Sequence, residues 1–224
     1  MKIQYKASLL FFLFSAVFLS IGILSFDFFS DQDILERTGL SQLNLTDELS
    51  RHIESHIEGK SANARALANT PLLREALKKS NEKYGKLDNE ERKTQIDLLN
   101  NKWMEADTIQ DPFIQSYMNN PVADHLKSHQ QLFPEEFGEI FLTNRYGSII
   151  ATTKKLTTFA HSHKYWWVIS YNNGKGRIFL DDRGFDTSVR GYVLGVVIPI
   201  MEKKEVLGIL KCKINILDPI SHMI

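Results

Sequence analysis

The sequence predicts an α+β fold: an N-terminal transmembrane helix, a long amphipathic helix, then a five-stranded antiparallel sheet flanked by helices. Three observations carry this. No charge interrupts Ala7 to Phe26, which are mostly Leu, Phe, Ile, Val and Ala. Apolar residues then recur at helical spacing as far as about Glu136. After Gly138 the texture changes to short β-rich runs separated by glycine and asparagine turns.

The apolar stretch comes first. At 1.5 Å per residue it spans about 30 Å, the hydrocarbon thickness of a bilayer. Lys2 and Lys6 precede it, and Asp27, Asp31 and Asp33 follow it. The positive-inside bias places residues 1–6 in the cytoplasm, 7–29 in the plasma (inner) membrane and the bulk outside the cell. A cleaved signal peptide is the competing reading. The apolar core is long for one, and SFDFFSDQ offers no small-residue cleavage pattern.

Residues 30–137 read as helical. Leu45, Leu49, Ile53 and Ile57 recur every four residues, and Ala64 and Ala68 continue the stripe. Such a stripe serves either a homodimer contact or packing on the chain's own domain. Thr70 is placed to cap a helix with Pro71 at its first position, ending near Gly85. Asp88 caps a third helix, Asn89 to about Glu105, with Ile96, Leu99 and Trp103 on one side. Asp111-Pro112 and Asn120-Pro121 are turn signals, and VADHLKSHQQ is a short helix closing before Pro134.

Residues 138–215 carry the sheet. GEIFLT and SIIAT are strands about the turn Asn144 to Gly147. A loop, TKKLTTFAHS, leads to an aromatic helix, HKYWWVISY. GRIFLD is a third strand and DRGFDTS a turn. GYVLGVVIPI and VLGILKCKI form a hairpin across MEKKE. In its last strand Leu210, Cys212 and Ile214 face one way, Lys211 and Lys213 the other. Residues 216–224 begin a following helix. The chain stops just after an apolar strand with no polar tail, so a longer parent protein is expected.

Composition narrows the function. The 224 residues carry 27 basic and 27 acidic side chains, a formal charge of zero, which gives no field to hold nucleic acid. One cysteine, Cys212, excludes an internal disulfide framework and a cysteine-based zinc site; a buried small hydrophobe is the expected role. Gly-rich phosphate loops, nucleophile elbows and HExxH are absent, and no cofactor is implied. His52/His56 and His125/His129 stand at metal-ligand spacing without an identifiable third ligand, so no metal site is assigned. The Asp181, Asp182 and Asp186 cluster lacks EF-hand spacing. His161 and His163 are candidates for a pH-dependent response.

The segments FGEIFLTNRYGSIIATTKKLTTF, KYWWVISYNNGKGRIFLDD, GYVLGVVIPI and VLGILKCKI resemble the extracytoplasmic Cache (double Cache, PAS-like) sensor domains. These belong to bacterial and archaeal sensor histidine kinases, chemoreceptors and diguanylate cyclases. The resemblance covers roughly residues 39–224. It implies a PAS-like sheet preceded by a long helix, the membrane-distal module of a non-enzymatic sensor region, and a small organic ligand. Family pockets for amino acids carry an aromatic, an arginine five positions later, then Trp and Tyr, and further on an aromatic with an aspartate two residues after it. That spacing falls on Phe159, Lys164, Trp166, Trp167, Phe179 and Asp181, and the resemblance implies these as ligand contacts. Phe stands for the family's Tyr at the first position, Lys for Arg at the second, and Trp or Phe for Tyr further on; the family's final aspartate falls near Lys213, so that acidic partner is absent. Tyr171 joins the ligand-binding set, and Tyr192 and Arg177 have less positional support.

The residue chemistry fits a small carboxylate or an amino-acid-like ligand. Lys164 can hold a carboxylate as a point charge, without the fork of arginine. Two tryptophans can wall a small apolar space, each with one N–H donor. They can equally be core, and Asp181 can equally serve a turn. The expectation is thus a membrane-anchored signal-transduction receptor whose long helix passes on a conformational change. The alternative is an anchored periplasmic protein-interaction module with no small-molecule ligand.

Overall fold

The computed structural model describes residues 2–134, 136–186 and 191–215; the side chains of 2–13, 27–37, 183, 185, 186, 191, 192 and 215 fall outside the description. The expected helix over 216–224 lies outside it as well. Contacts divide the chain into two compact units, Met1–Ser55 and His56–Ile224.

The first unit is helical throughout its described length, within helix α1 (Lys2–Ala68). Phe14, Val17, Phe18, Leu19, Ile21, Ile23, Leu24 and Phe26 are all exposed, so this part of the helix is apolar all round rather than on one stripe. Among the described residues no helix is long and apolar enough to cross a membrane, but the apolar segment 7–29 falls partly outside them.

The second unit holds the rest. The end of α1 is followed by α2 (Pro71–Gly85), α3 (Asn89–Glu105), α4 (Pro112–Met118) and α5 (Pro121–Leu132). Pro71 opens α2 as expected, but Thr70 makes no side-chain cap; its hydroxyl donates back to the Leu67 carbonyl. Asp88 and Glu91 form a reciprocal capping box on α3. Both Asx-Pro pairs are helix starts, not plain turns. Asp111 accepts from the Phe113 N–H, and Asn120 from the N–H groups of Val122 and Ala123. Helix α4 was therefore not expected. The cap and the proline at the first helical position outweigh its short length.

Strands β1 (Phe137–Asn144) and β2 (Ile149–Thr152) follow, joined by the Asn144 to Gly147 turn. Asn144 Oδ1 closes that turn by accepting from the N–H groups of Tyr146 and Ser148. Then come helix α6 (Tyr165–Tyr171) and strands β3 (Phe179–Asp186), β4 (Gly191–Glu202) and β5 (Glu205–Asn215). The expected turn at DRGFD is strand instead. It pairs with β4 after an irregularity in register between Asp181 and Gly184, which absorbs the glycine's positive φ. The β4–β5 turn is tight, with Lys203 and Lys204 both at positive φ.

The sheet is antiparallel in the order β2-β1-β5-β4-β3, so β5 is central. Strand alternation divides two cores. One face sends Ile140, Leu142, Val196, Ile198, Leu210, Cys212 and Ile214 against Ala64, Leu67, Leu73, Leu77 and Leu126 of the helices. The other gathers Phe141, Val197 and Ile209 with Trp103, Ile114, Phe159, Trp166 and Trp167. The lower part of the α1 stripe is thus spent on its own domain: Ala64 and Ala68 are buried, whereas Leu45 is 56% exposed. Cys212 is buried, and burial pushes its thiol up, as befits a small apolar core residue.

Gly208 sits where α2 comes closest to β5. A Cβ there would overlap Leu77 Cδ2 and the Thr143 carbonyl oxygen. Gly208→Ala is expected to destabilise the protein by about 1–3 kcal/mol through overpacking, read as a lowered urea midpoint.

Candidate functional site

The site is built on the sheet face that α6 covers. Two adjacent rows of the register define it. Phe141, Lys211, Val197 and Phe179 lie across β1, β5, β4 and β3. Two residues along the strands, Glu139, Lys213, Gly195 and Asp181 form the next row. All eight share one face because side chains alternate with period two. Two lysines and two carboxylates therefore stand together under an aromatic cover.

They are paired. Lys211 Nζ lies 2.6 Å from Asp181 Oδ2, and both residues are nearly fully enclosed, at 6% and 7% exposure. Lys213 Nζ lies 3.0 Å from Glu139 Oε1, with Glu139 4% exposed. The Lys211–Asp181 contact runs diagonally over Gly195. A Cβ there would stand 2.9 Å from Lys211 Cε and 3.1 Å from Asp181 Cβ. Glycine at 195 is what lets these side chains meet.

Helix α6 supplies the cover. Its start at Lys164 has no side-chain cap, and Asn172 ends it in the left-handed conformation. Lys211 Nζ sits 4.4 Å from the centroid of the Trp166 ring, a cation–π contact. Trp166 also meets Phe141 edge-on at 5.7 Å and His161 at 5.5 Å. Trp167 turns elsewhere: its Nε1 donates to Thr143 Oγ1 at 3.2 Å, and its ring stacks on Tyr171 at 4.6 Å. Both tryptophans are buried, yet only Trp166 covers the charges.

Of the other expected contacts, Phe179 shares the Lys211 row and meets Tyr165 edge-on at 5.9 Å. Lys164 is half-buried at the helix start, close enough for its charge to act on His161. Phe159 is not brought to the charges. It is fully buried against Trp103, Phe113 and Tyr117, at centroid distances of 5.8, 6.3 and 5.1 Å. Arg177 is exposed, and the Tyr192 side chain lies outside the described residues. Among the described residues no three of His, Cys, Asp and Glu gather closely enough to hold a metal ion.

Sequence reasoning missed three residues: Glu139, Lys211 and His161 in its buried role. Glu139 was legible, since an acid two places before Phe141 in an apolar strand shares that residue's face. It supplies a second carboxylate on the row where the family pattern would have put its final aspartate. His161 is 5% exposed, and neither ring nitrogen has a well-formed hydrogen bond. Burial first, then the charges of Lys164 and Lys211, push its pKa down to about 3; the Thr158 backbone opposes this weakly. The imidazole is therefore neutral near physiological pH, and it does not supply the pH-dependent response expected from the sequence. His163 is exposed.

Breaking the buried pair from one side strands a charge. Lys211→Met is expected to cost about 3–5 kcal/mol in urea denaturation, with Lys211→Met/Asp181→Leu recovering much of the loss. The His161 effect has a definite sign. Unfolded, the imidazole takes up a proton below about pH 6.5; folded, it refuses it until about pH 3. Stability therefore falls as pH drops through that window, by at most about 1.4 kcal/mol per pH unit from this group. His161→Phe is expected to flatten the decline between pH 6 and 4, read as urea midpoints across the series.

Comparisons with known proteins agree in kind. No family model matches the chain, and no curated protein matches it. Among solved structures, the V. cholerae histidine kinase DctB sensor domain aligns at 16% identity and TM-score 0.44, over 81% of this chain and 58% of that one. The ligand-binding domain of Campylobacter jejuni chemoreceptor Tlp3 in complex with 4-methylisoleucine aligns at 14% and 0.34, over 73% and 60%. That of the Pseudomonas aeruginosa PAO1 amino acid chemoreceptor PctC in complex with GABA aligns at 14% and 0.36, over 60% and 56%. The chain spans less than two thirds of each. Likeness this loose transfers no residue roles, and the site stands on its own geometry. These similar structures are sensor and ligand-binding domains of a histidine kinase and of chemoreceptors.

Proposed function

We propose that this chain is the extracytoplasmic sensing region of a membrane-anchored receptor. It binds a small carboxylate or amino-acid-like molecule between the sheet and α6. The observation that carries the reading is the buried Lys211–Asp181 pair beneath Trp166, with the Lys213–Glu139 pair on the next row of the same face. Buried charges are costly unless paired, and apolar side chains of similar volume are often as stable or more so. A fold with no use for them would do better without them.

The chemistry follows from the pairs. A ligand carboxylate can take Lys211 from Asp181, and a ligand ammonium can take the carboxylates that this releases. Two acids on one row give an ammonium more than one acceptor. Trp166 and Phe179 then contact the apolar part. Lys164 stands at the helix start, where it can meet a carboxylate as α6 adjusts. The amino-acid ligands named for similar chemoreceptors support this ligand class without fixing it.

Membrane anchoring by residues 7–29 rests on their uncharged sequence and on the all-round apolar surface of α1 over 14–26. The exposed Leu43, Leu45, Leu49 and Ile53 suit pairing of two chains along α1. A shift of α6 on the sheet reaches α1 through the opposite core, where Ala64 and Leu67 pack. Output would lie in the remainder of a longer chain. The protein-interaction alternative draws on the exposed Tyr165, Val168, Ile178 and Leu180 beside this face, whereas Trp166 and Trp167 are enclosed.

The test uses the full chain in detergent micelles, screened by thermal shift against the protein amino acids, γ-aminobutyrate and four-carbon dicarboxylates. At least one is expected to raise the midpoint, by linkage of roughly 2–4 kcal/mol at saturating excess. Trp166→Ala and Asp181→Asn, checked for folding by circular dichroism, are expected to abolish that rise. No shift in the folded wild type with any of these compounds would overturn the reading.

A further inference from the structure

Strand β4 runs on to Glu202, while its pairing with β3 ends at Val197 opposite Phe179. Beyond that point a cavity of about 380 Å³ opens beside β4. Its apolar wall is Ile178, Ile198, Pro199, Ile200 and Met201, and its polar side is Arg65, Asn69 and Arg74. The volume sits at the small end of ligand pockets, which run from roughly 300 to 1,000 Å³. None of the charged or aromatic groups under α6 lines it.

The charge of this cavity is one-sided. It has two guanidinium groups and no acidic lining residue. One Arg74 Nη donates to Asn69 Oδ1 at 3.3 Å, while its Nε is buried with no hydrogen-bond partner. Arg65 Nε donates to the Ser61 carbonyl of its own helix at 3.3 Å. Glu202 feels the charge of Arg74, but its ion pair is with Lys78 at 2.6 Å. A buried donor left unmet is costly, and arginine nitrogens match a carboxylate in pairs.

We propose that this cavity is a second ligand site, for a monocarboxylate with a short apolar tail. The Arg74 and Arg65 guanidinium groups receive the carboxylate, and the isoleucine, proline and methionine wall receives the tail. No acidic residue lines the cavity to accept an ammonium, so zwitterions and amines are rejected. That sets it apart from the face under α6, where acids and lysines stand side by side. A ligand here joins the end of α1 and the start of α2 to β4, so it tightens the face of the sheet opposite α6.

The test is calorimetric titration of the full chain with hexanoate in detergent micelles. Hexanoate titrated into protein-free micelles of the same detergent serves as the blank for micelle uptake. Wild type is expected to bind hexanoate at least tenfold more tightly than Arg74→Gln, as loss of a charged hydrogen bond requires. Arg74→Lys, which keeps charge but loses Nε, falls between them. Hexylammonium gives no binding above the blank, and Asp181→Asn leaves hexanoate affinity unchanged. Should Arg74→Gln fail to fold, Arg65→Gln carries the same expectation. Equal hexanoate affinity in wild type and the arginine variants, or no binding by folded wild type, overturns the proposal. Loss of hexanoate binding in Asp181→Asn also overturns it, and assigns the heat to the face under α6. The two sites thus fail separately.

Discussion

Two lysines point inward from the central strand of the sheet, and the rest of this face answers to them. Strand β5 has partners on both edges and helices over both faces, so Lys211 is buried and Lys213 is left only partly exposed. Each needs an anion, and each finds one on a different side: Glu139 from β1 and Asp181 across β4 from β3. Gly195 is small because two side chains pass over it. Trp166 is aromatic where an ammonium needs a π-face. One local demand, a buried cation with its partners, thereby fixes the residue types on four elements.

The opposite face is different in kind. Its core is mainly aliphatic, with Phe137 at its edge, and is held by α1, α2 and α5. Such packing resists small displacements and moves as a body. The face under α6 is joined instead by ion pairs, ring contacts and a seven-residue helix. The two sides share strands: Lys211 and Cys212 are neighbours on β5 and belong to opposite faces.

The strand order was not legible in the sequence, but most of the elements were. Alternation in the last hairpin and the cap at Asp88 are local signals, and the structure keeps them. What failed was local too: DRGFD carries turn residues, yet pairing with β4 overrides them. At the site, Trp166, Trp167 and Asp181 are singled out only through the family resemblance. Lys211 could not be picked out, because it reaches Asp181 and Trp166 only through the register of β5, β4 and β3. Lys211 and Lys213 read as the solvent side of a strand until a second layer covers them. The separation of Phe159 from the charges is likewise set by α3 and α4, which lie far away in sequence.

The pairing of Lys211 with Asp181 and of Lys213 with Glu139 leaves two positive and two negative groups within one small patch, with an uncharged imidazole at its edge. At a distance their fields cancel. A solute approaching this surface is neither drawn in nor repelled, so its arrival rate barely depends on ionic strength. Discrimination must then come after contact, from how well the newcomer replaces the bonds it breaks.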